Sequence, residues 1–121
     1  MEKMEYNALF WEYLERLVSE NEIVIDRPKG TRHPRYGDMI YIVDYGYLKN
    51  TKSMDNGGID IFAGSDPDKK IDAIICTIDL AKNDSEVKIV MGCTKEEKNE
   101  IYNFLNNSDF MKAILIERRV V

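Results

Sequence analysis

Between residues 5 and 20, Tyr6, Leu9, Phe10, Tyr13, Leu14, Leu17 and Val18 recur at spacings of three and four. That is the period of a helix with one apolar stripe, which calls for a core to pack against, most simply a sheet. Glu22-Ile23-Val24-Ile25-Asp26 then reads as a short strand, and Pro28, Gly30 and Pro34 forbid regular structure in the segment that follows. Met39–Val43 reads as a second strand, Ile59–Phe62 as a third, Ile71–Ile78 as a fourth and Val87–Met91 as a fifth. Thr94-Lys95-Glu96-Glu97 fits a capping box, in which hydroxyl and carboxylate satisfy each other's backbone donors. The helix it opens is predicted to run through Ile101, Phe104 and Leu105 to about Asn107, where Asn106-Asn107-Ser108 breaks the pattern. A strand ending fits residues 110–117 better than a short helix. Five short strands joined by loops predict a small barrel or strongly curled sheet, mainly β with flanking helices, in the α+β class.

The 121 residues suit one domain spanning 1–121, large enough to bury a core without disulfides or a structural metal. With 44% hydrophobic and 32% charged residues, and neither repeats nor low-complexity tracts, a soluble globular chain is expected. No stretch approaches the roughly 18 consecutive apolar residues that would span a bilayer. Met1-Glu2-Lys3-Met4-Glu5 lacks the apolar run of a signal peptide, so the expected setting is cytoplasmic, with no membrane partner. Cys76 and Cys93 lie in apolar surroundings, and the sole histidine, His33, is far away in sequence. This is not zinc-site spacing, and reduced core thiols are expected.

Charge sharpens the picture. Arg27, Lys29, Arg32 and Arg35 fall in residues 27–35 with His33 and no acid, which leaves 13 Lys and Arg against 22 Asp and Glu elsewhere. A local basic loop on an acidic body points to one anion-binding spot, not to a face that coats nucleic acid. A solvated loop paired with nearby carboxylates is the plain alternative. Beyond Tyr45-Gly46-Tyr47, Asp55 and Asp60 flank Asn56-Gly57-Gly58, a tight turn that lets both carboxylates project towards a common point. Such oxygen ligands suit Mg²⁺ or Mn²⁺, which borrow further oxygens from water and phosphate. Taken alone, the turn is also a common hairpin connection. Asp79 ends the fourth predicted strand and Asp84-Ser85-Glu86-Val87-Lys88 opens the fifth; a meander of strands three to five would bring them near Asp60. A surface hairpin with scattered charges would be spelled much the same way.

The order Tyr45-Gly46-Tyr47, Thr51, Asp55, Asp60, Asp79, Glu86-Val87-Lys88 resembles the soluble family I inorganic pyrophosphatases over roughly residues 23 to 92. Their pattern is Tyr-Gly-aromatic, Thr, Asp-x-Asp-x-x-Asp, a later Asp and Asp-x-Lys. Arg27-Pro28-Lys29-Gly30-Thr31-Arg32-His33-Pro34-Arg35 and Asp84–Lys88 are also similar to a shorter bacterial set usually labelled inorganic pyrophosphatase. The resemblance implies a five-stranded oligonucleotide-binding-type barrel whose mouth holds Mg²⁺ ions and a diphosphate. It implies Asp55, Asp60 and Asp79 as metal ligands, with Asp84 or Glu86 as a further one. It implies Lys88 and Tyr45 as phosphate contacts, with Lys29, Arg32 and Arg35 as candidates for the phosphate-binding arginine and its neighbours. Asp55, Asp60, Lys88 and Tyr45 are then the catalytic candidates, in a hydrolysis of diphosphate to two phosphates by a metal-held hydroxide.

Gly57 stands where the family carries the central Asp that orients and deprotonates the attacking water. The alternative function is therefore a binding module for phosphate or nucleotide with a degenerate site. Nucleic acid is the least favoured ligand, because the net charge is −5 and the strands lack evenly spaced exposed aromatics. The aromatic first helix and apolar C-terminal segment leave room for a homo-oligomer.

Overall fold

A computed structural model describes residues 7–53 and 57–119. Tyr6 and Asp55 lie outside the described residues. The element order is α1 (Ala8–Ser19), β1 (Ile23–Arg27), β2 (Asp44–Leu48), β3 (Ile59–Ala63), β4 (Ile71–Asp79), β5 (Asp84–Met91), α2 (Lys95–Asn106) and β6 (Met111–Glu117). The strands form one mixed sheet in the order β1-β2-β3-β5-β4-β6, giving a mainly β, α+β architecture. All neighbours are antiparallel except β3 and β5, which run parallel. β6 takes the free edge of β4, so the hydrogen-bonded order ends at β1 and β6. No helix among the described residues is long and apolar enough to cross a membrane.

Each face of the sheet carries its own core. On one, Trp11, Leu14 and Val18 of α1 pack with Leu48, Ile61, Ile74 and Ile89. On the other, Ile101 and Leu105 of α2 pack with Tyr41, Phe62, Ala73, Ile75 and Val90. Helix α1 starts where the Asn7 side chain accepts a hydrogen bond from the Leu9 N–H, and α2 starts at the reciprocal Thr94–Glu97 capping box read from the sequence.

Two expectations need correction. The stripe on α1 is rotated: Trp11 is buried, whereas Leu9, Phe10 and Tyr13 face outwards. Seven apolar positions wrap more of the helix than one sheet face can cover, and burying the indole removes the largest apolar area. The second strand is Asp44–Leu48 and not Met39–Val43. Within Met39–Val43, Ile40 forms an isolated bridge to Arg32, while Tyr41 and Val43 enter the core as irregular chain. The Tyr-Gly-Tyr segment is the true strand because β1 crosses it closely: a Cβ on Gly46 would sit 1.9 Å from the Val24 carbonyl oxygen and 2.8 Å from the Ile25 Cα. Gly46→Ala is therefore expected to force β1 and β2 apart and to destabilise the fold by about 1–3 kcal/mol. Urea unfolding measures this directly, and an unchanged midpoint would mean that the two strands do not approach so closely.

The β3–β5 pairing matters most for function. A meander would have placed β4 next to β3; instead β5 lies between them, with Ile61 opposite Ile89 and Phe62 opposite Val90. This register brings the Glu86–Lys88 stretch beside Asp60.

Candidate functional site

Strand alternation sets which side chains meet. Tyr45 and Tyr47 on β2 stand opposite Phe62 and Asp60 on β3; Glu86 and Lys88 on β5 stand opposite Thr77 and Ile75 on β4; Asp79 stands opposite Asp84. With a period of two, these positions share the sheet face that also carries the α2 core. Beyond that core the face becomes polar and lines a cavity of about 570 Å³. Tyr45, Asp60, Asp79, Asp84, Glu86 and Lys88 all line it, together with Arg27, Arg35 and Lys82.

The centre of the charged lining is Lys88, buried at 6% exposure. Its Nζ donates hydrogen bonds to Asp60 Oδ2 at 2.7 Å, Tyr45 Oη at 2.8 Å and Glu86 Oε2 at 3.1 Å. The Tyr45 hydroxyl in turn donates to Asp60 Oδ2 at 2.7 Å, so an ammonium, a phenol and two carboxylates from three strands form one network. Burial alone would depress the Lys88 ammonium, but Tyr45, Asp60 and Glu86 around it raise it well above the usual lysine range. Burial pushes the Tyr45 phenol well above its ordinary value despite the neighbouring Lys88, so Tyr45 remains a proton donor. Burial also pushes the Glu86 carboxyl up, against the pull of Lys88, and the adjoining Asp60 adds to the rise.

A second cation completes the lining. The Arg27 guanidinium donates to the Tyr41 hydroxyl and lies over the Tyr41 and Tyr45 rings, 5.6 and 5.7 Å from their centroids. Arg27 belongs to the basic run, but spacing did not single it out; the pairing of Arg27 with Tyr45 across β1 and β2 is the signal that would have done so. Tyr41, which read as an ordinary strand residue, stacks on Tyr45 at 5.1 Å.

The rest of the basic segment is a tied loop. Gly30 N–H donates to the Tyr41 carbonyl, Tyr41 N–H to that of Thr31, and His33 N–H to that of Met39. His33 Nδ1 accepts from the backbone N–H groups of Arg35 and Tyr36, which places its own proton on Nε2. Burial lowers the imidazole, and Arg27, Lys82 and Arg35 lower it further, so His33 is held neutral. Arg35 reaches the cavity, whereas Lys29 and Arg32 stand outside its lining. Arg32 donates to the Gly37 carbonyl, and the Lys29 N–H donates to Asp44 Oδ1. Among the described residues, no salt bridge involves Arg27, Lys29, Arg32 or Arg35. Arg35 lines the cavity with no salt bridge to a described acid.

The metal candidates divide. Asp60, Asp79, Asp84 and Glu86 come to one cavity, and Asp55 lies outside the described residues. Asp79 spends Oδ1 on the turn, accepting from the Ala81 and Lys82 N–H groups. Among the described residues no three carboxylate, His or Cys groups gather as a metal cluster, and Lys88 bridges Asp60 and Glu86. The donors are nonetheless hard oxygens, the chemistry that fits Mg²⁺ held by one or two carboxylates with water and phosphate supplying the remainder. Cys76 and Cys93 are both free thiols outside this lining, and burial pushes the Cys93 thiol up to about 12.

Comparison with models of known protein families and with curated proteins returns no match to this chain.

Proposed function

We propose that this chain is a Mg²⁺-dependent hydrolase of phosphoric anhydrides, acting on diphosphate or a related small phosphorylated compound in the Lys88 cavity. The observation that carries the reading is the convergence of Lys88, Asp60, Glu86 and Tyr45 in one hydrogen-bonded network, with Asp79, Asp84 and Arg35 lining the same space. Tyr45, Asp60, Asp79, Glu86 and Lys88 are among the residues that the resemblance to the pyrophosphatases selects by order, whereas Asp84 enters as the alternative to Glu86 and Arg35 from the basic loop. The strand order β1-β2-β3-β5-β4 with a parallel β3–β5 pair supports an oligonucleotide-binding-type barrel as its framework, extended by β6. Two unpaired thiols support a reducing, cytoplasmic setting.

Lys88, kept charged by its carboxylates, would neutralise a phosphate oxygen, and Arg35 would hold the outer phosphate from the rim. Tyr45, kept protonated, would donate its hydrogen bond to the substrate in place of Asp60. Asp60 and Asp79, with Asp84 or Glu86, would hold Mg²⁺, which when bound offsets charge on the phosphate oxygens and makes water more acidic. The water oxygen bonds to phosphorus as the bridging P–O bond breaks, its proton passes to a cavity carboxylate, and the other phosphate leaves as the anion. Glu86, whose carboxyl burial pushes upward, lines the cavity beside Lys88 and would be the carboxylate to accept that proton.

Asp60→Asn keeps the shape but removes the charge that holds Lys88 and the cation. Phosphate release from diphosphate with Mg²⁺ is expected to fall by about 100-fold or more. Equal release by both proteins, or by neither, would sink the hydrolase reading.

Gly57 favours a second reading, in which the cavity binds phosphate without turning it over. Calorimetry with diphosphate separates the two, since tight binding with no release of phosphate supports the module.

A further inference from the structure

The cavity is much larger than a diphosphate requires. At about 570 Å³ it falls among sites that enclose drug-sized ligands, roughly 300–1,000 Å³, whereas diphosphate contains no carbon at all. The surplus is lined differently from the charged part. Tyr36, His33, Tyr41, Phe104 and Phe110 all border the cavity and form a continuous aromatic run. Tyr36 lies 5.7 Å from Phe110 and 5.1 Å from His33; His33 stacks on Tyr41 at an interplanar angle of 14°; Tyr41 lies 5.2 Å from Phe104. Tyr41 at the inner end is core, but Tyr36 at the outer end is 37% exposed and Phe110 is half-buried.

Core packing does not account for an aromatic ring held on the rim. The loop fixes Tyr36 from both sides: its N–H donates to His33 Nδ1 and its carbonyl accepts from the Met39 N–H at 2.9 Å. An exposed ring on a tied backbone is a stacking face whose ordering cost is already met in the free protein. Arg35, the adjoining residue, lines the same cavity as Lys88.

We propose that the site takes a nucleotide, its base stacking on Tyr36 and Phe110 while its phosphoanhydride extends towards Arg35 and Lys88. This rests on the reading of the charged lining as a phosphoanhydride site, and adds the substrate class. A single mononucleotide fits better than a strand of nucleic acid. The net charge is −5, and a polynucleotide needs an extended basic path with repeated stacking positions.

The test is calorimetric titration of the full chain, in Mg²⁺, with α,β-methylene adenosine diphosphate and with methyl methylenediphosphonate, which carries the same phosphorus skeleton without the nucleoside. Stacking of one base predicts about 10-fold or more tighter binding of the nucleotide. Tyr36→Ala, at an exposed rim position, and separately Phe110→Leu, are each expected to shrink that ratio by about fivefold or more. Equal affinity of the unaltered chain for both compounds overturns the nucleotide assignment and leaves the phosphate reading standing. Binding of neither overturns both. A ratio unmoved by either variant removes these rings as the stacking face, and tighter binding of a single-stranded oligonucleotide overturns the choice of a mononucleotide.

Discussion

Lys88→Met is expected to destabilise the folded chain by about 3–5 kcal/mol at pH 7, the cost of leaving buried carboxylates without their cation. Methionine fills most of the lysine volume, so the loss reports charge and hydrogen bonding more than an empty space. The Lys88 and Glu86 side chains are each 8% exposed and that of Asp60 22%, so water offers little compensation. The pH dependence identifies the cause. Glu86 already has a folded-state value raised above that of the unfolded chain, first by burial. A raised group contributes stability that is present below its unfolded value, near pH 4.3, and is lost as the pH climbs through the folded one. Removing Lys88 takes away the one influence that pulls Glu86 down, so the loss in the variant should be greatest at neutral pH and shrink as the pH falls towards 4. Lys88 itself is raised, so in the unaltered protein its contribution is fully present below about pH 10.4 and fades only as the pH rises through its folded value. Urea unfolding of both proteins from pH 4 to 8 checks this. A loss that does not vary with pH would mean that packing, not the buried charges, accounts for it.

Gly57→Asp is expected to raise the rate of diphosphate hydrolysis by about 100-fold, the lower end of what a positioned general base contributes. In the proposed pyrophosphatase-like site, an aspartate at this place would orient and deprotonate the attacking water. Gly57 is exposed, and its carbonyl accepts from the Ser53 N–H at 3.0 Å through the backbone, a bond that a side chain does not remove. Steady-state phosphate release at saturating Mg²⁺ measures the effect, and it should appear in kcat more than in KM, because the added carboxylate acts on water and not on the bound phosphates. An unchanged kcat would mean that another group, with Glu86 foremost, already serves as the base.

Much of the fold was legible because it is spelled locally. The β4 and β5 runs, the Thr94 capping box and the end of α2 near Asn106 follow from periodicity and capping within a few residues. What escaped depends on partners distant in sequence. Asp44–Leu48 becomes a strand because β1 and β3 flank it, although its Tyr-Gly-Tyr core carries a residue that local propensity counts against a strand. Trp11 turns inwards because of the sheet area available to it. The parallel β3–β5 pair could not be read from either strand alone. The candidate site shows the same division. Asp60, Asp79, Glu86, Lys88 and Tyr45 stand out by their order in the sequence and reach one cavity because they share a strand face. Lys29 and Arg32 did not follow, since the loop folds on itself through the Arg32–Ile40 bridge and directs them elsewhere. Order in the sequence singles out neither Arg27, one of the basic run, nor Tyr36, because their places come from the pairing across β1 and β2 and from the His33 turn.

The most direct test of the central claim is a crystal structure with Mn²⁺, located by its anomalous scattering, and methylenediphosphonate, which cannot be hydrolysed. The expected result is the ion on oxygens of Asp60 and Asp79 and of Asp84 or Glu86, with one phosphonate against Lys88 and the other towards Arg35. A cavity that remains free of both, or an ion and a phosphonate bound away from Lys88, would contradict it.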